Sequence, residues 1–262
     1  MKRRPHIGLY LWTLAVLVSG ACSLDDGINI QPYRSQPVPN HYLKEYYEDD
    51  NLVQSFEYEG TRLLRQWLYR GNNVSSIEFV YSEQGRADSA RVRQTYFPRD
   101  LAFRYRDSLL MEFEVWNNRI LRQWVLFDRD EKGRIVEMKR ISLSLGFLLH
   151  VEFEWEGGNI ARYESTFFGD LGTTTWVYEF RYDTFRNPYR SVFHEIGFNF
   201  VDYMPLTENN WLELVVYRKD DPNGSRVTYK NTFSYGGDYP FVKESVQIDH
   251  KDRLKVYAEY KY

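Results

Sequence analysis

The feature that most constrains this chain is a two-residue rhythm of apolar and charged side chains. In Val151-Glu152-Phe153-Glu154-Trp155-Glu156, Val151, Phe153 and Trp155 fall on one side of an extended backbone and three glutamates on the other. A strand converts that pattern into one core face and one water face, whereas a helix would scatter it. Gly157-Gly158 follows, a pair that supplies the positive φ of a tight hairpin turn, and Asn159-Ile160-Ala161-Arg162-Tyr163 begins the return strand. Tyr178, Phe180 and Tyr182 alternate with Glu179, Arg181 and Asp183, and Leu254, Val256, Ala258, Tyr260 and Tyr262 share one face of a final strand. Composition agrees: 18% of residues are aromatic, a class that favours pleated, half-buried surfaces. The hydrophobic fraction of 43% is enough for a packed core.

The strands recur as units. Phe56-Glu57-Tyr58 through Arg65-Gln66-Trp67-Leu68 aligns without a gap on Phe113-Glu114-Val115 through Arg122-Gln123-Trp124-Val125, 57 residues further on. A degraded copy begins at Phe153, and looser ones begin at Phe79, Phe180 and Phe233. Each reads as aromatic strand, polar turn, apolar strand. A single hairpin cannot bury its own face, so such units must stack on neighbours. The pattern predicts one all-β domain over residues 36–262. It would be an antiparallel meander of repeated β-hairpins, either curled into an open, barrel-like sheet or wound as a hairpin array.

The N-terminal segment is of another kind. Met1-Lys2-Arg3-Arg4 is basic, Ile7 to Val18 is mostly apolar, and Ser19-Gly20-Ala21 are small. These are the parts of a secretory signal over residues 1–21. The apolar run is short of the roughly 20 residues that a membrane span needs. Ser19-Gly20-Ala21-Cys22 resembles a bacterial lipobox, with Ser19 where Leu is usual. The resemblance implies that Cys22, the sole cysteine, becomes an acylated first residue. Ser23-Leu24-Asp25-Asp26 resembles the acidic export signal of Bacteroidota lipoproteins. That implies an outer-membrane anchor facing the cell surface, with the periplasmic face as the alternative. Residues 22–35 read as an acidic tether, and Gln36-Pro37-Val38-Pro39-Asn40 as a loop. His41 to Asp50 is either a short helix capped by Asn40 or more tether.

Tyr182-Asp183, and Phe127-Asp128 with Gly133-Arg134-Ile135, resemble tyrosine-aspartate (YD, Rhs-type) repeats. From about Phe153 to Val246 the order is more specific. Phe180-Arg181-Tyr182-Asp183 leads into Asn187-Pro188-Tyr189, then Leu206-Thr207-Glu208-Asn209-Asn210, Phe233-Ser234-Tyr235 and Asp238-Tyr239-Pro240. This resembles the 4595-type domains of unknown function found in Bacteroidota lipoproteins. The resemblance implies a fold; it brings no catalytic residues.

Catalytic chemistry finds little support. There is no Gly-x-Ser-x-Gly elbow. His41, His150, His194 and His250 show no metal-ligand spacing, and His194-Glu195 is only the nearest approach to one. No metal or cofactor is expected. Glu152, Glu154 and Glu156, echoed by Glu57 and Glu59, are spaced as a glycosidase pair would be, but a solvated strand face explains them better. Asp220, Asp221 and Asn223 lack a full calcium set and read as a turn. A net charge of −3 without a basic block argues against nucleic acid. Trp67 with Arg65, and Trp124 with Arg122, hold equivalent places in two repeats. They would be an aromatic platform for a glycan or protein ligand, or, more simply, part of a core ladder. The expected function is a non-enzymatic, lipid-anchored binding or interaction module. A structural lipoprotein of an envelope complex is the alternative, and a glycan hydrolase a more distant one.

Overall fold

The computed structural model describes residues 42–71, 73–94, 98–169, 172–193, 196–199, 203–236, 241–248 and 254–262. Its meander opens with β1 (Glu45–Glu48), β2 (Asn51–Glu59), β3 (Arg62–Arg70), β4 (Asn73–Tyr81), β5 (Ala87–Arg93) and β6 (Arg99–Arg106). It continues with β7 (Leu109–Asn117), β8 (Ile120–Arg129), β9 (Ile135–Ser142), β10 (Phe147–Glu156), β11 (Asn159–Gly169) and β12 (Gly172–Arg186). A helical turn, α1 (Pro188–Val192), and a short pair, β13 (Phe198–Asn199) and β14 (Met204–Pro205), interrupt it. The meander resumes as β15 (Asn209–Arg218), β16 (Val227–Gly236), β17 (Phe241–Ile248) and β18 (Leu254–Lys261).

Sixteen of these strands form one closed antiparallel barrel, with β13–β14 as a separate pair. The all-β meander is as expected, but the open sheet is not. Closure comes from β1, which pairs with β18 through Tyr46↔Tyr260 and with β2 through Tyr46↔Gln54. The stretch read as helix or tether is therefore the closing strand and a turn at Asp49 and Asp50, both at positive φ. Without it, β2 and β18 would present unpaired backbone groups as sheet edges.

The barrel is mainly apolar within, with Gln54, Gln66, Arg140, Ser142, Ser245 and Gln247 as polar exceptions, and mainly polar and ion-paired without. Phe56, Phe79, Phe103, Phe113, Phe127, Val151, Phe153 and Tyr163 are buried on its inner face. Tyr163 stacks on Tyr178 at 4.2 Å between ring centroids. The outer face carries ion pairs around the circumference. Arg65 bridges Glu57 and Glu78 across β2, β3 and β4. Arg104 holds Glu112 and Glu114. Arg162 holds Glu154 and Glu164, and Lys219 joins Glu164. Lys261 lies near Glu45 and Glu259.

One end of the barrel repeats a single device. All seven strand pairs joined there, from β2–β3 round to β16–β17, carry a register shift near that end. Bulges of this kind add twist and let a sheet curl shut. The residue at each shift is Tyr58, Tyr81, Tyr105, Arg129, Trp155, Tyr182 or Tyr235. Six of them donate a side-chain hydrogen bond to a backbone carbonyl of the preceding strand or its approach: Leu43, Leu63, Ala87, Leu110, Ile135 and Ile160 respectively, at 2.6–3.0 Å. Each hairpin is thereby stitched to the one before it. Arg62, Arg86 and Arg134, each just ahead of an acceptor residue, lie over the rings of Tyr81, Tyr105 and Trp155.

This corrects the internal repeat. The structural unit starts at Phe56, Phe79, Phe103, Phe127, Phe153, Phe180 and Phe233. The best sequence match, Phe113, is not a member. Its hairpin β7–β8 turns at the opposite end of the barrel, because 57 residues carry the chain across an odd number of strands. The registers differ too: Phe56 pairs with Gln66, whereas Phe113 pairs with Val125, two places beyond the equivalent residue.

Candidate functional site

A circular barrel of sixteen strands at about 4.8 Å spacing and about 40° tilt is roughly 30 Å across. Wall side chains alone would leave it hollow. The described residues of the insert between β12 and β15, 187–193, 196–199 and 203–208, enter the lumen from the stitched end. Tyr189 of α1 meets Tyr46 and Phe56 on one side. Phe198 of β13 meets Phe113 and Phe127 on the other, at 6.0 and 4.8 Å between ring centroids. The insert thus bridges two stretches of wall and acts as a plug.

The motif residues from the sequence are what hold the plug. Asn187 caps α1, accepting from the Tyr189 backbone N–H at 2.7 Å, and donates to the Thr207 carbonyl. Pro188 occupies the first turn, where its missing N–H costs nothing. Asn159, just past the Gly157-Gly158 turn, accepts from the N–H groups of Glu208 and Asn209 at 2.9 and 2.8 Å. Glu208 pairs with Arg190 at 2.8 Å and also donates its N–H to the Gly158 carbonyl. A Cβ on Gly158 would fall 2.0 Å from the Glu208 side chain, so a larger residue there would push that carboxylate from its place beside Arg190.

Asp183 is the hub. It accepts from the backbone N–H of Phe185 and Asn210, from Asn210 Nδ2 at 3.0 Å and from the Tyr235 hydroxyl. Burial raises its pKa, and these hydrogen bonds offset that only in part. Burial and the neighbouring carboxylate push the Tyr235 hydroxyl far above the ordinary tyrosine range. Tyr235 is the seventh member of the stitch series. It takes a carboxylate as its acceptor, because the preceding strand β15 emerges here from the plug. Every hydrogen bond that Asp183 accepts here comes from within the protein, and the cluster is structural in character.

The residues singled out for ligand binding do not converge. Trp67 and Trp124 both lie on the outer face, opposite Ser76 and Glu114 in the strand pairing, rather than in a core ladder. They stand five strands apart, about 24 Å around the wall. Arg65 lies over the Trp67 ring at 5.3 Å while held by its two glutamates. Arg122 is the unpaired residue of the register shift in β8. Glu152, Glu154 and Glu156 share a strand whose outer face lies against Glu137, Glu164 and Arg162, with Glu154 bonded to Arg162. That is an exposed, ion-paired wall rather than a cleft holding an acid and a base. His150 bonds Glu137 at 2.5 Å, and burial of Glu137 is outweighed by Lys139, Asp128 and His150, which bring its pKa to about 2. Asp221 closes its own turn by accepting from the Gly224 N–H. No cluster of three or more metal-ligating side chains occurs among the described residues. Cys22, Ser23, Asp25, Asp26, His41, His194, Glu195, His250 and Asp238-Tyr239-Pro240 lie outside the described residues.

No family model matches the sequence, and no curated protein does. What the geometry defines is a closed, plugged, sixteen-stranded antiparallel barrel. Among solved structures the chain is similar to a porin-like protein from Bacteroides uniformis, with a TM-score of 0.51 and 10% identity over 88% of this chain and 99% of that one. A porin-like protein from Bacteroides vulgatus also matches, with a TM-score of 0.44 and 8% identity over 84% of this chain and 98% of that one. The first likeness shows a shared barrel fold.

Proposed function

We propose that this chain is a lipid-anchored, non-enzymatic module of the bacterial cell envelope, whose barrel stands in water beside the membrane and presents its outer surface to a protein or glycan ligand. The observation that carries this reading is the inside-out polarity of the wall. A barrel that crosses a bilayer needs an outward apolar band about 25 Å tall, and a basic residue at its midplane costs about 2–4 kcal/mol. Here Arg65, Arg104 and Arg162 face outward with their glutamates on several sides, each two or three residues inside the stitched-end limit of its strand, so the outward face turns ionic well within the wall. No helix among the described residues is long and apolar enough to cross a membrane. Membrane attachment then falls to Cys22. The plug, packed against the inner wall on two sides, also leaves a filled body in place of an open channel.

The test is fractionation of the native producer. Wild-type protein should stay with membranes through an alkaline carbonate wash, and Cys22→Ser should move to the soluble fraction. In planar bilayers the purified protein should give no conductance steps. Discrete channels, or carbonate-resistant retention of Cys22→Ser, would overturn the reading. A crosslinking pull-down from intact cells then identifies the ligand.

A further inference from the structure

Most of the large apolar side chains left exposed among the described residues lie at the end of the barrel opposite the stitched one, with Val80 and Leu212 the exceptions. Leu143 and Leu145, 56% and 69% exposed, stand at the β9–β10 turn. Below them Trp124, Ile141, Leu148 and Phe168 are paired directly across β8, β9, β10 and β11 on the outer wall. Two residues further along the strands the row reads Leu126, Lys139, His150, Thr166. The next reads Asp128, Glu137, Glu152, Glu164. Each step is about 6.5–7 Å, so the wall passes from apolar through basic to acidic within about 14 Å. Arg119 is exposed at the adjoining β7–β8 turn with Arg122 beside it, and neither has a carboxylate partner among the described residues. The far side of the same end carries Asp49, Asp50 and Asp221, with Asp220 paired to Arg218.

We infer that the β8–β11 sector of this end dips into the headgroup–acyl boundary of an anionic phospholipid surface. Leu143 and Leu145 enter the acyl layer, the Trp124 ring lies at the interface, and Arg119 and Arg122 meet lipid phosphates. Each group sits at the depth its chemistry prefers: apolar tips deepest, tryptophan and cations at the headgroups, carboxylates in water. The surface is an apolar turn with two arginines on its β7–β8 flank, which suits an anionic layer. This rests on the lipid-anchored reading in one respect, the source of the membrane. Cys22 and Tyr42 are 20 residues apart in sequence, a fully extended reach of about 65–70 Å. The wall is only about 25 Å tall, so anchor and tip can engage one membrane although the chain joins the barrel at its other end. A single acyl chain holds a protein only marginally, and a second contact makes attachment stable.

The test uses the full mature chain carrying Cys22→Ser, so that no lipid contributes, with vesicles of phosphatidylglycerol and phosphatidylcholine or of phosphatidylcholine alone. It should sediment with the anionic vesicles and about tenfold less with the neutral ones. Tryptophan emission should shift to the blue, and Trp124→Phe should remove most of that shift. Leu143→Asp with Leu145→Asp should weaken sedimentation about tenfold or more, with an unchanged urea midpoint to show that the barrel is intact. Undiminished sedimentation of the double variant, or no sedimentation of the Cys22→Ser chain, would overturn the inference while leaving the anchor standing. A concentration-dependent dimer abolished by the double variant would assign the tip to a second copy and overturn it too. If wild-type protein leaves membranes in a carbonate wash while the Cys22→Ser chain still binds vesicles, the anchor fails and the tip stands.

Discussion

The two ends of this barrel are built from the same strands and differ in what their side chains do. At the stitched end every joined strand pair carries a register shift, and six side chains donate into backbone carbonyls next door. The plug is seated there by Asn159, Asp183, Asn187 and Asn210. At the other end register shifts occur only at β1–β2, β7–β8 and β17–β18, and Leu143 and Leu145 are left in solvent. A closed sheet needs its twist and shear fixed once, and one end suffices. The other end is then free of structural duty, which is where an interaction surface can be carried without loss of fold.

The comparison breaks most severely if the plug is dispensable. Phe198 is fully buried between Phe113, Phe127 and Tyr203. Phe198→Ala should cost about 3–5 kcal/mol in urea unfolding, the usual range for a core phenylalanine. A loss under about 1 kcal/mol would mean that the lumen is not part of the cooperative core.

Asp183 gives the next largest effect. Asp183→Ala strands buried donors on Asn210 and the Tyr235 hydroxyl, at a cost of about 2–4 kcal/mol. Its pH signature has a definite sign. Burial raises the folded-state pKa above the ordinary 3.8, so the folded protein binds this proton more tightly than the unfolded chain. The stability it contributes is full below 3.8 and is lost as pH rises through the folded-state value. Glu137 works the other way: its stabilisation is present above about 4.5 and is lost as pH falls toward about 2. The difference in urea midpoint between wild type and Asp183→Asn, followed from pH 3 upward, isolates the first. A difference that stays flat or grows in favour of wild type would be inconsistent with a raised Asp183.

A single stitch should matter less. Tyr81→Phe removes one hydroxyl-to-carbonyl bond, made to Leu63 at 2.9 Å, and keeps the ring. The expected loss is about 0.5–1.5 kcal/mol, measurable in the same assay. Tyr105→Phe, which breaks the bond to Ala87, should behave alike. If both are silent, closure is held by backbone pairing and bulges alone.

Strand and face were legible because period-two alternation is a local signal. Val151 and Phe153 are buried inside and Glu152 and Glu154 point out, as read. Gly157-Gly158 is the turn, and Val256, Ala258 and Tyr260 share the inner side. The plug anchors Asp183, Asn187 and Asn210 were visible as a motif but carried no assignment, since their partners lie 20–52 residues away. Closure was not legible: the four residues of β1 are too few to show alternation, and their partner Tyr260 is at the far end of the chain. The repeat misled because similarity between Phe56 and Phe113 concerns side-chain order. Strand direction and register depend on how many turns lie between. Trp67 and Trp124 face outward because their neighbours Gln66 and Val125 face in, and a buried glutamine beside an outward-facing tryptophan inverts the choice that hydrophobicity suggests.

The smallest effect on stability should come from the residue type that costs most inside. Leu145 is 69% exposed at its turn and Leu143 56%. Leu145→Ser removes about as much apolar surface from water contact as it removes from the protein, so no cavity forms and little transfer energy is lost. Its urea midpoint should lie within about 0.5 kcal/mol of wild type, as for surface substitutions away from caps and cores. Set against Phe198→Ala, this asks whether the two ends are as unlike as their side chains suggest. A loss above about 1 kcal/mol at Leu145 would show that the turn packs on its neighbours, making this end structural as well. A neutral result leaves an exposed leucine pair with no role in folding. Such a pair is maintained only against solubility, since apolar patches promote association, and its function must then be sought in what it touches.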